Sequence, residues 1–232
     1  MTKYNEEETI IELRNALKDI NTLYNKKCIN WSGTAKHSHK QYTEIIAEEL
    51  LNHIDKFDTI DNISRKSSYK RENHSNIKID CKSNRDEEKF AKKIIDLELD
   101  TLGLITDYQI PLKDTMENKG IGKIDLISHN KESKRLFLIE LKYKGNKDTL
   151  LRAILESYTY SKIVDTNKLK KDFLSSVNPH EIIPSILLVK GCKSYNELKE
   201  MEDDKRPHLR SLSKKLGIKL FTIEFMINES KL

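Results

Sequence analysis

The sequence predicts an α/β protein, in which short apolar strands alternate with amphipathic helices. Between residues 105 and 143, three runs have the length and apolar content of strands. On either side of them, apolar residues recur every three or four positions, as on one face of a helix. A later run, 184–189 (PSILLV), is short and largely apolar, which is typical of a buried strand. Strands interleaved with helices favour the α/β class.

The elements follow from these two periodicities and from turn residues. Helices are predicted at 6–24, 41–57, 86–97, 150–164, 195–201 and 207–216, with a further candidate at 169–176. Strands are predicted at 105–112, 121–128, 136–143, 184–189 and 218–225. Gly217 is a stop signal after the last helix.

The chain divides into three predicted parts. Residues 1–62 form an N-terminal helical segment, in which 28–40 is a loop. Residues 63–84 are almost entirely polar and form a basic linker or exposed loop, with 77–79 as its only candidate strand. Residues 85–232 form the α/β domain.

Composition excludes several classes of protein. At 232 residues, 37% hydrophobic and 34% charged, the chain can bury one core of ordinary size plus an appendage. No stretch approaches the roughly 18 apolar residues of a membrane span, and the first ten residues lack the apolar part of a secretory signal. Cys28, Cys81 and Cys192 are odd in number and widely spaced, which predicts a reduced, cytoplasmic protein. The formal net charge of +5 permits binding to phosphate without requiring it.

Two adjacent strands carry the most informative residues. Glu140 and Lys142 alternate in LFLIELKY, so both point to the same face of their strand. Asp125 lies fifteen residues before Glu140, in IGKIDLIS. If the two strands pair as a hairpin, all three side chains meet at one end of a sheet. Two acids and one cation on rigid strands suit a hard divalent metal and an activated water.

This pattern resembles the PD-(D/E)XK nuclease superfamily, whose signature is an acid on one strand followed by acid-x-Lys on the next. The resemblance covers about residues 85–190, where the helix–strand–strand–strand–helix–strand order matches the common core of the superfamily. It implies a restriction-endonuclease-like mixed central sheet flanked by helices. It also implies a Mg²⁺-dependent hydrolase acting on nucleic-acid phosphodiesters, DNA more than RNA, with Mn²⁺ as a substitute metal.

The resemblance also implies roles for individual residues. Asp125 and Glu140 would bind the metal, and the main-chain carbonyl of Leu141 would be a third ligand. Lys142 would orient the attacking water or stabilise the developing negative charge. Glu87, on the helix before the strands, would point into the metal site. Glu88 is the alternative if the helix register differs.

The helix after Lys142 contributes candidates for substrate binding. Many relatives carry a Gln followed four residues later by a Tyr in this helix. Here Glu156 takes the Gln position and Tyr160 follows it. The change to Glu adds negative charge near a phosphate, which is unfavourable unless a metal or Arg152 compensates it. Arg152 and Tyr160 are therefore the expected substrate-binding residues.

Other features are weaker. His37 and His39 are too few to predict a zinc site. The basic run 65–71 either follows a nucleic-acid backbone or is a solvated loop. Two alternatives to the nuclease remain: an inactive nuclease-fold binding protein, and a regulatory module whose N-terminal helices bind a protein partner. The cellular role (restriction, repair, defence or toxin) is open, as is a homodimer of the kind many double-strand nucleases form.

Overall fold

The computed structural model describes residues 4–70, 85–113, 122–174 and 181–224. The helices are α1 (Glu6–Ala16), α2 (Tyr42–Asn52), α3 (Asp86–Lys93), α4 (Leu150–Ile163), α5 (Thr166–Phe173), α6 (Lys193–Glu202) and α7 (Pro207–Lys215). The strands are β1 (Glu98–Leu99), β2 (Gly103–Pro111), β3 (Lys123–Asn130), β4 (Arg135–Lys142), β5 (Glu181–Val189) and β6 (Lys219–Ile223). Short 3₁₀ helices span Ile20–Asn25, Lys27–Asn30 and Ile54–Thr59.

The six strands form one mixed sheet in which they lie in chain order, from β1 to β6. Each pair from β1 to β4 is antiparallel, whereas β4–β5 and β5–β6 are parallel. A parallel connection needs a crossover, and α4 and α5 lie between β4 and β5 in the chain. The prediction of an α/β protein with a mixed sheet and helices is therefore confirmed at this level.

The two strands with the signature residues pair as the expected hairpin. Leu126 of β3 lies opposite Ile139 of β4. Asp125 and Glu140 are the next residues of β3 and β4 beyond this last pair, and there the Leu141 N–H donates to the Asp125 carboxylate. The predicted strand 121–128 ended too early, because β3 extends to Asn130 and His129 lies within it, half-buried. Strand pairing simply continues further than the apolar pattern.

The N-terminal segment shares the main hydrophobic core with the sheet. One cluster of buried apolar residues joins α1 and α2 to the sheet and to the C-terminal helices; it includes Leu13, Ile46, Leu138, Ile154 and Leu209. A second cluster covers the opposite face of the sheet, where α3 packs through Phe90 and Ala91. The described N-terminal residues are thus built into the fold, while the division into domains stays a prediction.

Both N-terminal helices are shorter than their sequence pattern predicts. α1 begins at a capping box formed by Asn5 and Glu8 and ends at Ala16, and a 3₁₀ helix follows. Beyond Ala16, Asn21 bonds to Asp61 through both its amide nitrogen and its carbonyl oxygen. Side chains of this kind compete with the helical backbone and favour turns. The helix α2 is also shorter than predicted: it ends at Asn52, and the 3₁₀ helix Ile54–Thr59 follows.

Part of the basic run 65–71 is not on the surface. Arg65 is 8% exposed, and its guanidinium donates to the carbonyls of Pro111 and Lys113 at 2.9 and 2.5 Å. Tyr69 is fully buried, and its hydroxyl accepts the N–H of Asp165. The expectation of a solvated loop is therefore wrong for Arg65, because backbone carbonyls engage its guanidinium, while a nucleic-acid contact of the run stays a prediction. The candidate strand at 77–79 lies outside the described residues.

Two further sequence features have plain structural outcomes. His37 and His39 are exposed loop residues with φ of 70° and 57°. Across the described ranges, no group of three or more His, Cys, Asp or Glu side chains is arranged to hold a metal ion. None of the described helices combines the length and the apolar character that crossing a bilayer requires.

Candidate active site

The three signature residues meet in one pocket at the end of the β3–β4 hairpin. Asp125, Glu140 and Lys142 are 9%, 5% and 3% exposed, and all three line a cavity of about 280 Å³. Buried charged residues are rare unless they are paired. These side chains therefore share one small, polar pocket, as the strand spacing predicts.

The carboxylate of Asp125 is held by hydrogen bonds on both of its oxygens. The Leu141 N–H donates to Oδ2 at 2.9 Å, and Nε2 of Gln109 donates to Oδ1 at 2.9 Å. Burial raises the pKa of Asp125 to about 7, with Lys142 opposing the shift and Glu87 adding to it. At neutral pH this carboxyl group is therefore balanced between its protonated and ionised forms.

Lys142 is surrounded by carboxylates. Its Nζ lies 2.6 Å from Glu140, 3.3 Å from Glu156 and 3.4 Å from Asp148. Burial acts to lower the pKa of Lys142, but the attraction of Glu140, Glu156 and Asp125 outweighs it and raises the pKa well above its ordinary value. The ammonium group is therefore fully charged at any physiological pH.

The buried carboxyl group of Glu140 is shifted towards its protonated form. Its pKa is raised well above the ordinary value, first by burial and then by repulsion from Asp125 and Glu156, with Lys142 only partly opposing these effects. One ammonium group does not neutralise so many buried carboxylates. A further cation in the pocket would favour the ionised form of Glu140.

The structure distinguishes Glu87 from Glu88. Glu87 lines the pocket, and its Oε2 accepts the Tyr143 N–H at 3.1 Å and Nδ2 of Asn146 at 3.3 Å. Glu88 instead pairs with Arg85 and with Lys92, at 3.3 and 2.8 Å, and does not line this pocket. The helix register therefore brings Glu87, not Glu88, to the side of Asp125 and Glu140.

The residues of α4 interact differently from the sequence expectation. Tyr160, 5% exposed, donates its hydroxyl to Oε1 of Glu156 at 3.0 Å, and burial raises the pKa of that hydroxyl. Arg152 was expected to compensate Glu156, but its guanidinium pairs with Asp148 at 3.2 Å. Lys142 is the cation that compensates Glu156, because both reach the centre of the pocket.

Sequence reasoning missed four residues that line the pocket: Gln109, Lys123, Asn146 and Asp148. Asp148 left a signal, since it directly precedes Thr149, the N-cap of α4, six positions after Lys142. Gln109 left none, because a lone Gln in an apolar strand has no periodicity to identify it. Only the pairing of β2 with β3 brings it beside Asp125.

Residues of the N-terminal segment contact side chains that line this pocket. Nδ2 of Asn30 donates to Oδ1 of Asp148 at 3.0 Å, and Oδ1 of Asn30 accepts the Thr149 N–H at 2.8 Å. The ring of Tyr24 packs edge-on against Tyr160, with centroids 5.4 Å apart. Two of the side chains next to Lys142 and Glu156 are therefore fixed by residues 24–30.

The charges in the pocket are unbalanced. Its lining includes five carboxylates and three cations; the carboxylates are Glu87, Asp125, Glu140, Asp148 and Glu156, and the cations are Lys123, Lys142 and Arg152. With every group in its usual ionised state, the lining has an excess of two negative charges. A hard divalent cation fits this imbalance, since Mg²⁺ prefers oxygen ligands and takes only one or two carboxylates while keeping several waters.

A second cavity, of about 470 Å³, adjoins the first and shares Glu87, Gln109 and Asn146 with it. Its outer part is lined by Tyr143, which packs on Phe90, and by the cations Arg85 and Lys144. Three carboxylates, those of Asp86, Glu87 and Glu88, line it as well, so the acidic pocket adjoins a wider cleft of mixed charge.

Similarity to known proteins adds no independent assignment. No family model, curated protein or solved structure matches this chain. A functional assignment therefore depends on the residues of the pocket, their distances and their charges.

Proposed function

We propose that this chain is a Mg²⁺-dependent nuclease of the PD-(D/E)XK type, which hydrolyses phosphodiester bonds in nucleic acid, in DNA rather than RNA. One observation carries the proposal. Asp125 and Glu140, on neighbouring strands, share a buried pocket with the ammonium group of Lys142. Burying two carboxylates with uncompensated charge lowers stability, so such an arrangement favours a functional role over a structural one.

The order of the elements supports a restriction-endonuclease-like fold. From α3 to β5 the chain runs helix, three long strands, helix, strand, with the two-residue β1 and the helix α5 as additions. The signature residues lie on the second and third of those long strands, β3 and β4. Because one fold hosts many functions, the site supports the activity more strongly than this topology does.

In this proposal, Asp125 and Glu140 hold Mg²⁺, with the main chain of Leu141 beside them. A bound Mg²⁺ supplies an acidified water and a positive charge next to the phosphate. Lys142 is permanently charged, so it donates hydrogen bonds to the attacking water or to a phosphate oxygen and stabilises negative charge there. Glu87 accepts hydrogen bonds that fix the Tyr143–Asn146 turn at the side of the pocket.

The remaining cations suit a substrate with several phosphates. Arg152 and Lys123 line the pocket, and Lys144 and Arg85 line the adjoining cleft. Basic side chains on both sides of a cleavage site neutralise phosphates before and after the scissile bond. A polynucleotide fits this distribution better than a small phosphate ester.

The direct test is cleavage of supercoiled plasmid and of single-stranded DNA by the purified protein with Mg²⁺ and with EDTA. We expect Mg²⁺-dependent cleavage that falls by about 10²–10³-fold or more in Asp125→Ala and Lys142→Ala, since each loses a group that stabilises the transition state. Asp203→Ala and Lys205→Ala are matched controls, because these residues form an exposed ion pair away from the pocket. Cleavage that both pocket variants retain would rule out this site.

An inactive nuclease-fold binding protein is the second candidate. It is favoured by the engagement of Lys142 with three carboxylates at once, which leaves the ammonium group fewer free donors. The same protein samples distinguish the two. A binding protein retains DNA in a gel-shift experiment without cleaving it at any concentration of Mg²⁺ or Mn²⁺.

A further inference from the structure

Gln109 has an unusual backbone conformation for its position. Its φ is 51°, and among the described non-glycine residues with positive φ it alone lies within a strand. L side chains rarely adopt this region, and residues held in it cluster at functional sites, where the surroundings impose the conformation. The β2–β3 ladder pairs Tyr108 with Leu126 and Ile110 with Ile124, so Gln109 lies between these pairs and faces Asp125.

The side chain of Gln109 bonds to Asp125, one of the two proposed metal ligands. Its Nε2 donates to Oδ1 of Asp125 at 2.9 Å, while the Leu141 N–H holds Oδ2 at 2.9 Å. The amide nitrogen of Gln109, and not its amide oxygen, therefore faces Asp125. Together the two donors leave the Asp125 carboxylate no freedom to rotate.

We propose that Gln109 is a positioning residue, which orients the Asp125 carboxylate for binding a divalent metal. The inference rests on the proposed function, because it needs Asp125 to be a metal ligand. Hydrogen bonds to a ligating carboxylate fix its direction, and losing such a partner typically costs about 10–100-fold in metal affinity. Gln109 lines both cavities, so it also lies where the pocket adjoins the wider cleft.

Two substitutions distinguish the effect of the Gln109 side-chain amide from that of its backbone conformation. Gln109→Ala and Gln109→Gly both remove the hydrogen bond to Asp125, but only glycine adopts a positive φ without strain. Lys134→Gly is the matched control, because Lys134 has φ 54° in the exposed turn after β3, at the far end of the hairpin. Mn²⁺ affinity, measured by titration, and the Tm in EDTA are compared for all four proteins.

We expect both Gln109 variants to bind Mn²⁺ about 10–100-fold more weakly than the native chain, with Lys134→Gly unchanged. In EDTA, Gln109→Gly should melt at a higher temperature than Gln109→Ala, because glycine relieves the backbone strain.

Native Mn²⁺ affinity in both Gln109 variants, with the native chain binding Mn²⁺ and cleaving DNA, overturns this role and leaves the nuclease intact. Native affinity in Gln109→Gly alone also overturns it, since the backbone and not the amide would then be responsible. A native chain that neither binds Mn²⁺ nor cleaves DNA removes both proposals.

Discussion

At the scale of single residues, the main feature of the pocket is that its carboxylates outnumber its positive charges. Lys142 is within 3.4 Å of three carboxylates, and Asp125 and Glu140 still have raised pKa values. A side chain that is buried with unfavourable charge lowers the stability of the folded protein. Such a cost is expected where a ligand later supplies the missing charge.

The pKa of Asp125 makes this cost measurable. The folded-state pKa is about 7 against an ordinary value of 3.8, so the folded chain holds a proton that the unfolded chain releases. Asp125 therefore contributes stability below pH 3.8 that is lost as the pH rises to about 7. In EDTA, the Tm of the native chain should consequently fall between pH 5 and pH 8. Its unfolding free energy should decrease by on the order of a few kcal/mol over this range.

Asp125→Asn removes the ionisation and keeps an acceptor for the Leu141 N–H. We expect it to melt higher than the native chain in EDTA at pH 8, by roughly 2–4 °C for each kcal/mol, and to differ little at pH 5. Mg²⁺ should raise the Tm of the native chain only. Asp203→Asn, on the surface, serves as the control. Equal Tm values for the native chain and Asp125→Asn at pH 8 would show that ionisation of Asp125 does not destabilise the folded protein.

At the scale of elements, the active site depends on a segment that lies more than a hundred residues earlier in the chain. Asn30 bonds to Asp148 and to the Thr149 N–H at the start of α4, and Asp148 in turn contacts Lys142. Asn21 makes the same pair of bonds to Asp61 at an exposed position. The two asparagines therefore offer a matched comparison of one interaction in two places.

Asn30→Ala should lower the kcat of DNA cleavage, because Asp148 loses the donor that orients it beside Lys142. Its effect on unfolding free energy should be about 1–3 kcal/mol, because two ordinary hydrogen bonds are lost. Asn21→Ala should have a similar or smaller effect on stability and none on kcat. Parallel losses of kcat in both variants would attribute the effect to general destabilisation.

Sequence patterns predicted the elements better than their ends or their partners. The apolar runs that became β3 and β4 were visible, since a buried strand leaves few polar positions. The end of α1 at Ala16 was not visible, because the helical spacing of apolar residues continues past it, to Leu17 and Ile20. Gln109 also stayed hidden, because only the pairing of β2 with β3 brings it into the pocket.

At the scale of the whole molecule, the described N-terminal segment is part of one fold with the sheet. Leu13 and Ile46 belong to the same buried cluster as Leu138 and Leu209. Sequence composition alone predicted an appendage, because neither helix contains a signal for its tertiary partner. Charge is distributed unevenly as well: the net +5 of the chain coexists with an acidic pocket.

Lys144, in the wider cleft beside this pocket, predicts a salt-dependent contact with DNA. Lys144→Ala should weaken DNA binding and reduce the slope of log affinity against log salt by about 0.7–0.9, the contribution of one phosphate contact. Lys205→Ala removes an equally exposed lysine elsewhere and should leave the slope unchanged. Binding is measured in Ca²⁺ or EDTA, so that cleavage does not interfere. An unchanged slope for Lys144→Ala would place the DNA outside this cleft.

The central claim is that the pocket at the end of the β3–β4 hairpin captures a divalent cation. Crystals soaked in Mn²⁺ test it most directly, because anomalous diffraction locates the metal without reference to activity. We predict a peak between the carboxylates of Asp125 and Glu140, beside the main chain of Leu141, which disappears in Asp125→Ala. A peak elsewhere, or none at Mn²⁺ concentrations that support cleavage, would contradict the account.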